Sequence, residues 1–385
     1  MKLAVRYRDA MLGVLNDDTG RMLFQYDSEF VRAGIELSPF YLPLQQGVIE
    51  TKGPFEGGLP GLFADSLPDF WGRAIMDRRL REAGLNPANI SVLKRLALIG
   101  EGGFGALSYH PAESAAAYEI STMKEAVLFS RQILELDGGR LPGSEIMQQA
   151  GSNPGGRFPK LCTGWHPIEK KLVVGTQQVP AGYVPCILKL DLGLKMPGGK
   201  AGLCRQEFNL LNLAQKAGIR TPRRWLLEGM DDQDGEYAHL LIERFDRDGD
   251  LRIHSHSFSG VAHKLPVRYG ASYEELLRLV LALTRDQREV EEMFCRMVFN
   301  VFCSNRDDHV RNHGFVMDRE NCWKVSPAFD LTPTPELDEH CLSVNGKWSG
   351  IGKADLLQVG KEFSIKDREQ IIERNAAVYS QDVQK

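Results

Sequence analysis

The run Asn300–Phe315, NVFCSNRDDHVRNHGF, brings Asp307, Asp308, His309 and Asn312 into one short stretch. Asp307 and Asn312 stand in the D-x-x-x-x-N spacing of a phosphoryl-transfer loop. That chemistry needs a carboxylate to orient the attacking hydroxyl and accept its proton, and a nearby amide oxygen to ligate magnesium. Asp330, in SPAFDLTP, follows Trp323–Val325, which reads as a strand, and is the candidate second magnesium ligand. Arg306 and Arg311 are each open to two readings, a charge on the transferring phosphoryl or a surface contact. His309 is expected to orient Asp307 or Asp330 rather than act as a base, and Cys303 to be a buried core thiol.

The upstream residues complete a nucleotide cleft in chain order. Lys189 ends the apolar strand CILK, where a lysine can hold the α- and β-phosphates, and Glu207 falls on a helix that can supply its ion-pair partner. LLIERFDR, at 240–247, turns abruptly from apolar to charged and suits a hinge, with backbone groups meeting adenine and Asp246 meeting the ribose. SNPGGRFPK precedes the lysine strand, and its Gly155, Gly156 and Lys160 are placed to cover phosphates. A second Gly-rich run, LIGEGGFGALSY at 98–109, satisfies GxGxxG through Gly100, Gly102 and Gly105. No lysine-bearing strand follows it, so it reads as a turn between two elements. His254 and His256 lack further metal ligands nearby in the chain.

These residues need elements to hold them. Leu3, Val5 and Tyr7 alternate with charged residues, and Met22, Phe24 and Tyr26 alternate after the turn cluster 16–20, which predicts a hairpin. A helix is expected from an N-cap at Ser66 to a stop at Gly84, with Phe70, Trp71, Ile75 and Leu80 as its buried stripe. Residues 111–119 read as a connection, followed by a helix over 122–136. Strands are expected at 171–176 and 184–189, paired with each other, and at 238–242, with a helix over 206–217. Residues 273–284 and 286–304 carry apolar residues at helical spacing. The whole reads as α+β, a strand-rich half and a helical half with a cleft between them.

Composition sets the frame. The chain has 385 residues, 43% hydrophobic and 25% charged, which excludes a disordered or collagen-like chain. Lys plus Arg is 47 against 51 for Asp plus Glu, a net charge of -4, so the chain is not built mainly around a polyanion. Seven scattered cysteines without CxxC spacing predict reduced thiols and a cytoplasmic location. No signal-peptide core or membrane span is readable.

The motifs LPGLFADSLPDFWG (59–72), PGGRFPK (154–160), ILK (187–189), IERFDR (242–247), SYEELL (272–277), NRDDHVRN (305–312) and AFDL (328–331) together resemble the HipA family, kinases that are the toxins of HipBA toxin–antitoxin modules. The resemblance implies an ATP- and Mg-dependent serine/threonine protein kinase with a two-lobed kinase-like fold. It implies an N-terminal subdomain over 1–110, a kinase N-lobe over 111–246 and an all-helical C-lobe over 247–385. It further implies phosphorylation of a translation component such as an aminoacyl-tRNA synthetase, growth arrest and persistence. The implied partner is a small helix-turn-helix antitoxin of HipB type, with DNA reached only through it and no membrane involved. By motif, Asp307 matches the catalytic aspartate, Asn312 and Asp330 the magnesium ligands, Lys189 the ATP-phosphate lysine, and Glu243, Phe245 and Asp246 the adenine and ribose contacts. Seven residues before Lys160, where relatives carry an autophosphorylated serine, this chain has Asn153, which leaves Ser152 beside it as the candidate. Two other readings stay open: a small-molecule hydroxyl kinase of the aminoglycoside or choline type, and a non-catalytic antitoxin-binding corepressor.

Overall fold

The computed structural model describes residues 1–18, 20–113, 122–136, 159–174, 179–193, 201–231 and 235–383. Gly155, Gly156, Ser152 and Asn153, and most of the expected connection at 111–119, lie outside the described residues.

β1 (Lys2–Tyr7), β2 (Ala10–Asp18), β3 (Arg21–Tyr26), β4 (Val48–Glu50) and β5 (Leu107–His110) form one antiparallel sheet in the order β4-β3-β2-β1-β5. The expected hairpin of 3–7 with 22–26 is therefore corrected: β2 lies between those strands. Its pairing with β1 shifts register at Val5/Arg6, and this slip places Leu12 and Leu15 in the core three positions apart. Period-two alternation is lost there, which hides the strand. Leu3, Val5, Leu15 and Phe24 pack against Phe63 and Leu96 to give this unit its own core.

The helix Phe70–Glu82 follows, and its N-cap is Asp69, which accepts from Gly72 N, rather than Ser66. Ser66 instead accepts a hydrogen bond from the Tyr109 hydroxyl at 2.6 Å. Trp71, Ala74 and Leu80 form the buried face, while Phe70 and Ile75 are half-buried and line a cavity.

A second antiparallel sheet contains β6 (Lys160–His166), β7 (Lys171–Val174), β8 (Val184–Lys189), β9 (Arg224–Asp231) and β10 (Gly235–Glu243), in the order β7-β6-β8-β10-β9. The strands expected at 171–176 and 184–189 are represented by β7 and β8, which do not pair with each other; β6, which starts at Lys160, lies between them and pairs with both. The helix Leu203–Lys216 buries Leu210, Leu211, Ala214 and Glu207.

The second half packs the helices Tyr273–Thr284, Gln287–Phe302, Lys353–Glu362 and Arg368–Val383 around Leu277, Val280, Phe294, Val298, Phe315 and Ile372. Ser272 and Glu275 form a capping box on the first of them, satisfying two otherwise unpaired backbone N–H groups. This lobe also carries short strands: His254–Ser257, Gly314–Met317 and Trp323–Val325 form a three-stranded sheet. Among the described residues, no helix is long and apolar enough to cross a membrane.

Candidate active site

One cavity of about 870 Å³ lies where the three parts meet. The second sheet contributes Leu161, Ile187, Lys189 and the segment 242–245; the helical lobe contributes His309, Asn312, Phe329 and Asp330. The third wall comes from the N-terminal unit, including Asp65, Asp69 and Phe104.

At the floor, Lys189 Nζ donates to both carboxylate oxygens of Glu207 at 2.8 Å and to Asp330 Oδ1 at 2.5 Å. The lysine ends β8 and the glutamate lies on the facing helix, so sheet–helix packing brings them together across 18 positions. Asp330 N donates to Glu207 Oε1 at 3.2 Å, which closes a ring of three residues. Asp330 has φ +56°, a left-handed conformation that aspartate tolerates better than most residues. Its segment is pinned by Arg296, which donates to Ser326 O at 2.6 Å, and by Ala328 N, which donates to Arg220 O at 2.8 Å. Burial alone would lower the Lys189 pKa, but Asp330 and Glu207 more than offset it and hold the lysine charged. Burial opposes ionisation of Asp330 too, but Lys189 and Lys160 keep its carboxyl below the usual range.

The loop 303–313 leaves the buried helix Gln287–Phe302, and Asn305 N donates back to Asn300 O. Asp308 is fully buried and accepts from the Tyr273 hydroxyl and His340 Nδ1 at 2.8 Å and from the Cys341 and Leu342 N–H groups at 2.7 and 3.4 Å. This carboxylate, named in the sequence but given no role there, shapes the loop from below. Asp307 is 5% exposed, and its Oδ1 has no hydrogen-bond partner among the described residues. Burial, then the charges of Asp330 and Asp308, push its pKa well above the usual value. Asn312 Nδ2 donates to Asp307 O at 2.7 Å, which turns the amide oxygen away from that contact. His309 Nδ1 accepts from Arg311 N at 3.2 Å, and burial lowers its pKa.

The hard oxygen donors Asp330 and Asn312 line the same cavity, and one buried cation, Lys189, is shared between two carboxylates. That donor set and the local excess of negative charge fit magnesium. Among the described residues, no cluster of three His, Cys, Asp or Glu makes a separate metal site.

The remaining expected residues have these partners. Lys160 pairs with Asp69 of the N-terminal unit. Glu243 pairs its carboxylate with Arg223 at 2.6 and 2.7 Å, and Phe245 lines the cavity with its ring 5.7 Å from that of Phe329. The ribose contact expected of Asp246 is corrected: its side chain is fully buried, accepting from Arg244 at 2.9 and 2.8 Å, from Arg247 at 2.5 Å and from Gly105 N at 2.8 Å. Arg306 is spent on the carbonyls of Pro335 and Leu337, so only Arg311 of the two arginines lines the cavity. His256 Nδ1 bonds Asp65 at 2.5 Å, and Ser257 donates to the same carboxylate through its N–H and hydroxyl, both at 2.7 Å. The second histidine of that pair therefore anchors the ADSLPD segment to the helical lobe. The sequence signal for this was the segment itself, without its partner.

Comparison with known proteins places this geometry. A family model described as HipA N-terminal domain matches residues 3–110, and one described as HipA-like C-terminal domain matches 154–382. "Putative kinase Y4dM" of Sinorhizobium fredii is 23% identical over 354 residues, 85% of this chain and 76% of that protein. A "Putative kinase" of Haemophilus influenzae is 25% identical over 149 residues, 35% of this chain and 43% of that protein. Among solved structures, the Shewanella oneidensis MR-1 complex of HipA, HipB and operator DNA contains a chain that matches with a TM-score of 0.69 at 18% identity, covering 99% of this chain and 88% of that one. That likeness carries the fold: α+β and kinase-like. With both family models matched in order, this chain belongs to the HipA family.

Proposed function

We propose that this chain is a cytoplasmic, ATP- and magnesium-dependent serine/threonine protein kinase. The observation that carries the reading is the Oδ1 of Asp307, without a hydrogen-bond partner among the described residues and buried beside Asn312 and the Lys189–Glu207–Asp330 ring. Lys189, held by Glu207, binds the α- and β-phosphates. Glu243 and Phe245 meet the adenine, and Gly155, Gly156 and Lys160 cover the phosphates. Asp307 orients the acceptor hydroxyl in line with the γ-phosphate and receives its proton as the new P–O bond forms and the bond to the ADP oxygen breaks. Asn312 and Asp330 are the residues that hold magnesium, which when bound neutralises charge on the phosphates. Positioning and charge neutralisation supply most of the rate. Ser152 is the proposed autophosphorylation position. The working units are residues 1–110, 111–246 and 247–385.

The acceptor is a protein, as in the HipA reading, with a translation component such as an aminoacyl-tRNA synthetase as the proposed class and growth arrest and persistence as the outcome. The carboxylates on the N-terminal wall of the cavity argue against a cationic small-molecule acceptor, because each is already paired. Asp65 is paired with His256, Asp69 with Lys160 and Glu113 with Lys94. The proposed partner is a small helix-turn-helix antitoxin of HipB type, through which DNA is reached. Incubating the chain with γ-labelled ATP, magnesium and a cell lysate tests the reading. Label on serine or threonine of a protein supports it; label confined to small molecules contradicts it.

A further inference from the structure

The GxGxxG run of the N-terminal unit lies against the hinge. Gly105 has φ +79°, and a Cβ there would stand 3.2 Å from Ser255 N, so the loop needs glycine to approach so closely. Gly105 N donates to Asp246 Oδ2 at 2.8 Å. In return, Arg252 donates to Gly105 O at 3.0 Å, Gly103 O at 3.3 Å and Leu107 O at 2.8 Å. Arg247 reaches the same carbonyls of Gly105 and Gly103 at 3.3 and 3.2 Å. Asp246 thus ties the loop to the hinge with the side chain that the hinge motif would otherwise turn toward a ribose.

The loop holds one large side chain at the cavity. Phe104 is half-buried, its ring 5.3 Å from Phe245 in an edge-to-face contact, with the Arg244 guanidinium 5.4 Å from its centroid. Phe104, Phe245 and Phe329 line the same cavity as Ile187 and Lys189. Flat apolar rings beside a hydrogen-bonding hinge are what a purine base requires, while the phosphates require the lysine end.

We propose that the Gly102–Gly105 loop is the outer wall of the nucleotide site and that Phe104 is a base-contacting residue, so that the N-terminal unit completes the ATP pocket. The inference rests on the nucleotide reading above and assigns that site a wall outside the two kinase lobes. Its test is equilibrium binding of ATP and of tripolyphosphate, with magnesium, to the full chain and to Phe104→Ala, Phe104→Leu, Phe104→Tyr and Lys189→Ala. Loss of the ring in Phe104→Ala or Phe104→Leu is expected to weaken ATP about tenfold, the scale of one base–aromatic stack, and to leave tripolyphosphate unchanged. Phe104→Tyr keeps ATP within about twofold, and Lys189→Ala weakens both ligands. Because Phe104→Leu keeps apolar bulk at this position, an effect of unfolding in Phe104→Ala is separable. ATP binding by a folded Phe104→Leu at the wild-type level, with Lys189→Ala impaired, overturns this inference and leaves the nucleotide reading standing. Wild-type protein that binds no ATP overturns both.

Discussion

At the sheet end of the cleft, Lys189 joins Glu207 and Asp330 in a closed ring of charge-assisted hydrogen bonds. At the loop end, Asp307 is buried with an oxygen that has no partner among the described residues, although the adjacent Asp308 accepts hydrogen bonds from four groups. Both regions put carboxylates in the interior, where leaving a polar group unpaired costs free energy. The satisfied groups hold geometry. The unsatisfied one is kept at a cost to stability, and such costs concentrate at sites of chemistry.

Each variant below tries to break that division. The largest effect is expected from Asp330→Ala, which removes the proposed metal ligand and one partner of Lys189. Phosphoryl transfer should fall on the order of a thousandfold, as when other electrostatic groups of active sites are removed, with the fold retained. Transfer at the wild-type rate would refute the metal assignment. Next is Asp308→Asn, which leaves buried donors facing an amide. A loss of about 2–4 kcal/mol in unfolding free energy is expected, read from denaturant midpoints, with activity lost through the loop rather than through ATP affinity. Glu207→Gln is milder. Lys189 keeps Asp330 but loses one charged partner, about 1–2 kcal/mol, so the KM for ATP should rise about tenfold.

The smallest expected effect is on pH dependence, and its sign differs between the two ends. Asp307 has a pKa raised above 3.8, so activity, which in the proposed mechanism needs the carboxylate, should show an acid limb above the ordinary carboxylate range. Its contribution to stability falls as pH rises from 3.8 through that raised value, because the fold disfavours the charged form. Asp330 is depressed, so its contribution is full above 3.8 and is lost as pH falls through the lowered value. A pH–rate profile flat down to the ordinary range would contradict the Asp307 assignment.

Much of this division was legible in the sequence where one residue's type announces its job. The lysine ending an apolar strand, Asn312 and the aspartate after a short strand line one cavity, the glutamate on the next helix bonds that lysine, and Asp307 accepts from Asn312 through its backbone carbonyl. Residues whose role depends on distant partners were not legible. Asp308 is defined by groups 32–35 positions away, among them Tyr273 and His340. Asp246 looked like a ribose ligand because its motif ends a hinge, but Gly105, 141 positions earlier in the chain, claims its side chain. The run around Gly105 is a turn between two elements, as its lack of a following lysine strand implied, and only tertiary packing sets Phe104 beside Phe245. β2 was lost to a register slip, a feature that period-two reading cannot register.

The contrast between satisfied and unsatisfied carboxylates is tested most directly by one variant read in two ways. Asp307→Asn removes the buried carboxyl whose charged form the fold disfavours and leaves Asp308 and the Lys189 ring in place. Measured on the same preparation, phosphoryl transfer should fall about a thousandfold, while the melting temperature stays equal to that of the wild type or rises. Unchanged transfer, or a folded state destabilised as much as in Asp308→Asn, would contradict the account.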